Sequence, residues 1–136
     1  MAIVSDESRG FLGVKALSFG SLFLNVCTGT HSVAATSVAT HFVKGETSVT
    51  PATSYYLPMG SWSGANSAGT YTATQLTTGG TFTFTYSASV GTIYSYAITT
   101  GSGLTGTLVG AEMFSPAQVI TANGDKISVV VKLLTA

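Results

Sequence analysis

Between Glu46 and Glu112 the chain contains no Asp, Glu, Lys, Arg or His. That is nearly half of a 136-residue sequence, and within it the apolar and hydroxyl residues alternate. In "TFTFTYSA", Phe82, Phe84, Tyr86 and Ala88 point to one side of an extended chain, and Thr81, Thr83, Thr85 and Ser87 to the other. A period of two over this length predicts strands. The lack of charge limits what those strands can face. Solvent-exposed sheets normally carry lysine, glutamate or proline along their edges. A folded chain with 45% hydrophobic residues and 7% charged ones, where about 25% charged is usual, keeps its surface wet with hydroxyls instead. Ser and Thr together make up more than a quarter of the sequence. Disordered chains have the opposite composition, rich in charge and poor in aromatic and β-branched residues.

Strand signals recur at short intervals. "SLFLNVCTG" (Ser21–Gly29) reads as a strand buried on both faces. "TYTATQLTT" (Thr70–Thr78), "GTFTFTYSA" (Gly80–Ala88) and "GTIYSYAITT" (Gly91–Thr100) read as strands, and "GTLVGAEMF" (Gly106–Phe114) as a short one. "AQVITANGDKISVVVKLL" (Ala117–Leu134) reads as a hairpin, because Asn123-Gly124 suits a tight turn with positive φ. Beyond that turn Ile127, Val129, Val131 and Leu133 share one face, and Lys126, Ser128 and Lys132 the other. "SVTPATSYYLPMGSWSGANSAG" is rich in turn residues. Helical signal is confined to the start, where Ser5 followed by Asp6 and Glu7 predicts a short helix to about Ala16. The expected fold is all-β, an antiparallel β-sandwich or jelly-roll-like barrel with a short N-terminal helix. It is expected to form one domain over 1–136, with 1–17 an N-terminal segment or helix and 18–136 the β-sandwich.

Chemistry-bearing residues are few. Formal net charge is zero, and Arg9, Lys15, Lys44, Lys126 and Lys132 form no run, so a nucleic-acid partner is not expected. Cys27 is the single cysteine, which excludes an internal disulfide and suits a small buried hydrophobe. The first residues lack a basic stretch and carry Asp6 and Glu7, so no signal peptide is expected. No apolar run is long enough for a membrane helix, and no membrane partner is expected. "GSGLTG" (Gly101–Gly106) spells a dinucleotide fingerprint, but the β-branched residues after it predict a strand where that motif needs a helix N-terminus. His31 and His41 are the only histidines; Cys27 lies four positions before His31, but the segment reads as strand or loop and no second ligand pair follows. In "GSWSG" Trp62 stands where a nucleophile elbow needs serine. The expectation is a non-enzyme with no cofactor and no metal.

Two surface readings remain. The uncharged strands can pack against neighbouring copies, which would bury them without desolvating an ion pair. Strand alternation then nominates Thr81, Thr83, Thr85, Tyr94 and Tyr96 as interface residues. Alternatively, aromatic residues in or beside the turn-rich middle, Trp62, Tyr55, Tyr56 and Tyr71, can stack on sugar rings in a carbohydrate- or receptor-binding β-module.

The C-terminal part also carries a recognisable order of segments. A strand with Phe82 and Phe84 is followed by "GTIYSYAI" from Gly91, "GSG" from Gly101, "GTL" from Gly106 and "VITANGDKISVVV" from Val119. This order resembles small virion proteins of tailed bacteriophages, of the tail-fibre-like, minor tail or head-decoration type. "SDESRGFLGVKAL" is similar to the short N-terminal helix of that group, and "LFLNVCTGTHS" to its first strand. The resemblance implies a β-sandwich-like structural subunit present in many copies, contacting itself and other virion proteins. Its location would be the virion, after synthesis in the host cytoplasm. It brings no catalytic residues.

Overall fold

The alternating stretch forms one arm of a long antiparallel ribbon that supplies most of the described chain. The computed structural model describes residues 21–34, 36–43, 49–50, 54–57, 62–67, 70–76 and 80–135. The expected N-terminal helix lies outside them. The strands are β1 (Leu22–Cys27), β2 (Val49–Thr50), β3 (Tyr55–Leu57), β4 (Trp62–Ser67), β5 (Thr70–Gln75), β6 (Thr81–Tyr86), β7 (Gly91–Gly101), β8 (Thr105–Ile120), β9 (Lys126–Val130) and β10 (Lys132–Thr135). All their pairings are antiparallel. The protein is all-β, with a three-residue 3-10 turn at Ala39–His41.

The pairs are nested. β7 lies on β8, β6 on β9 and β5 on β10, so the two arms fold back about the turn at 102–104. The remaining strands are added alongside: β1 next to β7, β3 next to β1, β2 next to β6 and β4 next to β5. Three sheets result, in the orders β3-β1-β7-β8, β2-β6-β9 and β10-β5-β4.

The ribbon is interrupted twice. At the first break Val131 bridges β5 and β6: its carbonyl accepts from Gln75 N–H at 3.2 Å and its own N–H donates to Gly80 O at 2.8 Å. Gly80 has φ +77, and a Cβ there would sit 2.7 Å from Gln75 O. Only glycine lets the chain close this pinch. The second break is a corner where 87–90 and 121–125 cross side by side between sheets. Gly124 N–H donates to Tyr86 O at 2.7 Å, Tyr86 N–H to Asp125 O at 2.9 Å and Val90 N–H to Ile120 O at 3.3 Å.

This corner corrects the expected hairpin at 117–134. Gly124 does have positive φ, +94, but the strands it joins do not pair with each other. β8 pairs with β7, and β9 with β6. β8 also runs beyond the expected stop at Phe114, through Pro116 to Ile120. It is an edge strand, where a missing N–H breaks no ladder. Between the paired residues Ile93–Gln118 and Ser95–Met113 its register shifts, leaving four residues of β8 opposite Tyr94.

Asp125 holds the corner. Its Oδ2 accepts from Thr121 N–H at 2.8 Å and Ala122 N–H at 3.1 Å. These bonds, that from Thr121 first, hold its carboxyl below the ordinary carboxylate range. A depressed folded value means the contribution is complete above the unfolded value of about 4 and fades as pH falls through the folded one. Thermal midpoints measured from neutral pH downward are expected to decline below about pH 4. Asp125→Asn should flatten part of that acid limb.

Side chains from all three sheets meet in one core: Leu24, Leu57, Trp62, Ala73, Phe82, Phe84, Tyr86, Ile93, Ile98, Ile120, Ile127 and Val129, with neighbours. The Phe82, Phe84 and Tyr86 side of β6 is the core side, as alternation predicts. A second, smaller cluster lies on the other side of β1 and β7. There Cys27 and Ala97 are covered by Phe42, with Leu104, Leu108 and Ala111 against them. Phe42 sits near the end of a loop secured by the 3.0 Å bond from Thr28 N–H to Val43 O. β1 is thus buried on both faces, as its apolar run predicts, and β7 is buried without a break from Ser95 to Thr99.

Candidate functional site

The outer face of the β2-β6-β9 sheet is the surface most sharply defined by the sequence. Cross-strand register places Thr81 opposite Val130, Thr83 opposite Ser128, and Thr85 between Lys126 and Thr50. Directly opposed residues in an antiparallel pair project to the same face, so these seven side chains form one patch. Thr81, Thr50, Lys126, Ser128 and Val130 are exposed, and Thr83 and Thr85 half-buried. Thr83 Oγ1 and Ser128 Oγ are hydrogen-bonded at 3.1 Å, which fixes two hydroxyls in the middle of the patch. Lys126 supplies its single charge, and Val130 is 51% exposed at one end. The arrangement offers a two-way hydrogen-bonding surface with one cation at its edge.

Tyr94 and Tyr96 do not join this patch. Both lie on β7, in a different sheet. Tyr94 is half-buried. Tyr96 is 5% exposed, packs on Phe114 with ring centroids 5.8 Å apart, and donates its hydroxyl proton to Glu112 Oε2 at 2.7 Å. Burial first, and then the neighbouring Glu112 carboxylate, push its phenol above the ordinary tyrosine range. Tyr96 is therefore corrected from an interface residue to a core residue that ties β7 to β8. Tyr96 shares its face of β7 with Ile98 and enters the main core, whereas Ala97 on the opposite face enters the second cluster; alternation could not tell the faces apart because both are buried.

Two of the four aromatic residues of the sugar-stacking reading, Trp62 and Tyr55, turn inward. Trp62 is 5% exposed and belongs to the core, so its ring is not presented to solvent. Tyr55 is half-buried, wedged against Phe82 and Phe84 at centroid distances of 5.2 and 5.0 Å. Its hydroxyl donates to Thr83 O, fastening β3 to β6. Tyr71 is on β5, opposite Asn66 and Thr135. Tyr56 alone is seen to be strongly exposed, at 47%, with its ring tilted against Phe23 at 5.6 Å. Trp62 and Tyr55 are thereby corrected to packing residues.

The remaining reactive groups occupy closed or incomplete settings. Cys27 is fully buried, and burial pushes its thiol up to about 12 against a weaker pull from Ser95. Iodoacetamide at pH 8 is expected to label Cys27 only as the protein unfolds, which mass spectrometry along a urea series would follow. His31 and His41, ten positions apart, are brought together with ring centroids at 4.7 Å. His31 Nε2 is 2.9 Å from Ser37 Oγ, and His41 Nδ1 accepts from Val38 N–H at 3.2 Å. Nothing in their spacing announced this contact, which depends on the 3-10 turn. Among the described residues no group of three or more His, Cys, Asp and Glu could hold a metal. "GSGLTG" is the β7–β8 turn, with Gly103, Leu104 and Gly106 at positive φ, and a strand follows it. Among the described residues no helix is long and apolar enough to cross a membrane.

Compared with protein-family models, with curated proteins and with solved structures, the chain matches none of them.

Proposed function

We propose that this chain is a non-enzymatic structural subunit of a tailed-phage virion, a head-decoration or tail- or fibre-associated protein that acts by packing in many copies. The observation that carries the reading is the hydroxyl patch of Thr81, Thr83, Thr85 and Ser128, projected from a rigid sheet whose other side is the core. Such a face can be covered by a neighbour with no ion pair to desolvate. The order of segments supports the same reading. The phenylalanine strand, the Gly-Thr strand, the glycine-rich loop, the "GTL" segment and the "NGD" turn are β6, β7, the 102–104 turn, the start of β8 and the β8–β9 corner. We read the folded-over ribbon as a jelly-roll-like sandwich, a stiff plate suited to resisting pressure or shear. The chain's partners are then copies of itself and other virion proteins.

Thr81→Glu tests the patch. Thr81 is exposed at the start of β6, and the variant's thermal midpoint checks that it folds. A carboxylate pressed into the hydroxyl contact at the end away from Lys126 should reduce incorporation into particles by about tenfold or more, measured by quantitative mass spectrometry of purified particles. Incorporation at the wild-type level would remove the patch from the contact.

The exposed Tyr56 ring favours one second reading, a glycan- or receptor-binding surface on β3 and β1. Glycan-array binding lost on Tyr56→Ala would establish it. Absence of binding by the wild type would end it.

A further inference from the structure

A sheet edge presents unpaired N–H and C=O groups to any strand that approaches, and folded chains blunt such edges with proline, lysine, bulges or very short strands. The guards of this chain can be placed edge by edge. β2 has two residues and is followed by Pro51; β3 has three and is followed by Pro58. β8 carries Pro116 within its irregular stretch opposite Tyr94. The edge strands β9 and β10 carry the exposed Lys126 and Lys132. In sequence, the chain's 3 prolines fall within β8 or at the position after the last residue of β2 or β3. β4 is the exception. It is a six-residue edge strand, "WSGANS", with no proline, no lysine and no charge.

The backbone directions of β4 follow from the Val131 pinch. Gln75 N–H points to Val131, on the β10 side of β5. Backbone groups alternate sides along a strand, so Thr74 points to β4. Thr74 is paired with Ser63, and Gln75 with Trp62. Ser63, Ala65 and Ser67 therefore direct their backbone groups into the ladder with β5. Trp62, Gly64 and Asn66 direct theirs outward, and among the described residues no strand lies on that side.

We propose that β4 is a strand-pairing seam that takes β4 of a second copy of this chain, antiparallel and centred on Gly64, joining the two three-stranded sheets into one continuous sheet. A second copy is the fitting occupant because a strand without charge opposes no like charges when it meets itself, and an antiparallel self-pair closes on a two-fold axis. The seam rests on the multi-copy reading above and assigns it a second surface, distinct from the threonine patch.

Sedimentation velocity on the full chain, over a wide concentration range, tests it together with two variants. Asn66→Pro removes an outward N–H and no β5 ladder bond, and should weaken dimerisation about a hundredfold. Ser63→Lys gives β4 the guard the other edges have, on an exposed position that folding does not need. It should weaken the dimer too, most at low salt. In the wild-type dimer, hydrogen exchange should protect the Gly64 and Asn66 amides; both should exchange freely in monomeric Ser63→Lys, and that of Gly64 in monomeric Asn66→Pro. A wild-type chain that stays monomeric overturns the seam, and so does a dimer that both variants leave intact. In the second case the multi-copy reading survives, since particle stoichiometry tests it separately. If Asn66→Pro fails to fold, Ser63→Lys alone decides. Wild type that captures a different polypeptide at β4 and never itself also overturns the seam.

Discussion

Phe84→Ala is expected to destabilise the protein by about 3–5 kcal/mol. The ring is 1% exposed, at the centre of β6 on its core side. It meets Tyr55 from β3 edge-on at 5.0 Å and lies in the cluster that joins all three sheets. Its removal leaves a cavity that two packed sheets cannot both relax into. Total stability for a chain of this size is about 5–15 kcal/mol, so the loss is a large fraction of it. Urea unfolding should show a lower midpoint at an unchanged slope, because the surface exposed on unfolding hardly changes. Phe23, half-buried and paired with the exposed Tyr56, is the comparison. Phe23→Ala should lose well under half as much.

Gly80→Ala is expected to be nearly as damaging, for a reason that has nothing to do with the core. At φ +77 any L side chain is strained by about 1–2 kcal/mol. At Gly80 the new Cβ also falls 2.7 Å from Gln75 O, a backbone atom that is itself fixed by the pinch. The strand pair must open there, and with it the bonds that Val131 makes to Gln75 and Gly80. A loss of about 3 kcal/mol follows when one backbone hydrogen bond is added to the strain. Gly124→Ala separates the two causes. Gly124 has φ +94 but open space around the Cβ position, so the strain alone applies. Denaturation of the two variants side by side should rank Gly80→Ala clearly lower. Equal losses would mean that the pinch has no rigidity of its own.

The sequence showed some of this directly and hid the rest for identifiable reasons. Strict alternation in 81–86 named the core side and the threonine side of β6, because a strand buried on one face has no other way to satisfy its side chains. The apolar run in β1 announced burial on both faces. Turn chemistry was legible at Asn123-Gly124, but turn chemistry is local. Which strand β9 pairs with is decided by the core that Ile127 and Val129 enter, far from the turn in sequence. The same limit hid the hairpin of β4 and β5, whose Ser, Gly and Asn residues read as loop while Trp62 reaches the core. Of the threonine patch, Thr81, Thr83 and Thr85 were legible, but their neighbours Ser128 and Val130 depend on register. Tyr96 was hidden because a period of two tells which residues share a face and never what covers it.

Three-dimensional reconstruction of the tailed-phage particles assembled in cells that make this chain tests the central claim most directly. The account predicts copies at fixed stoichiometry, with the Thr81, Thr83 and Thr85 face against another protein surface and its hydroxyls paired across the contact. Particles that lack the chain would contradict it, as would copies whose threonine face looks into open solvent on every one of them.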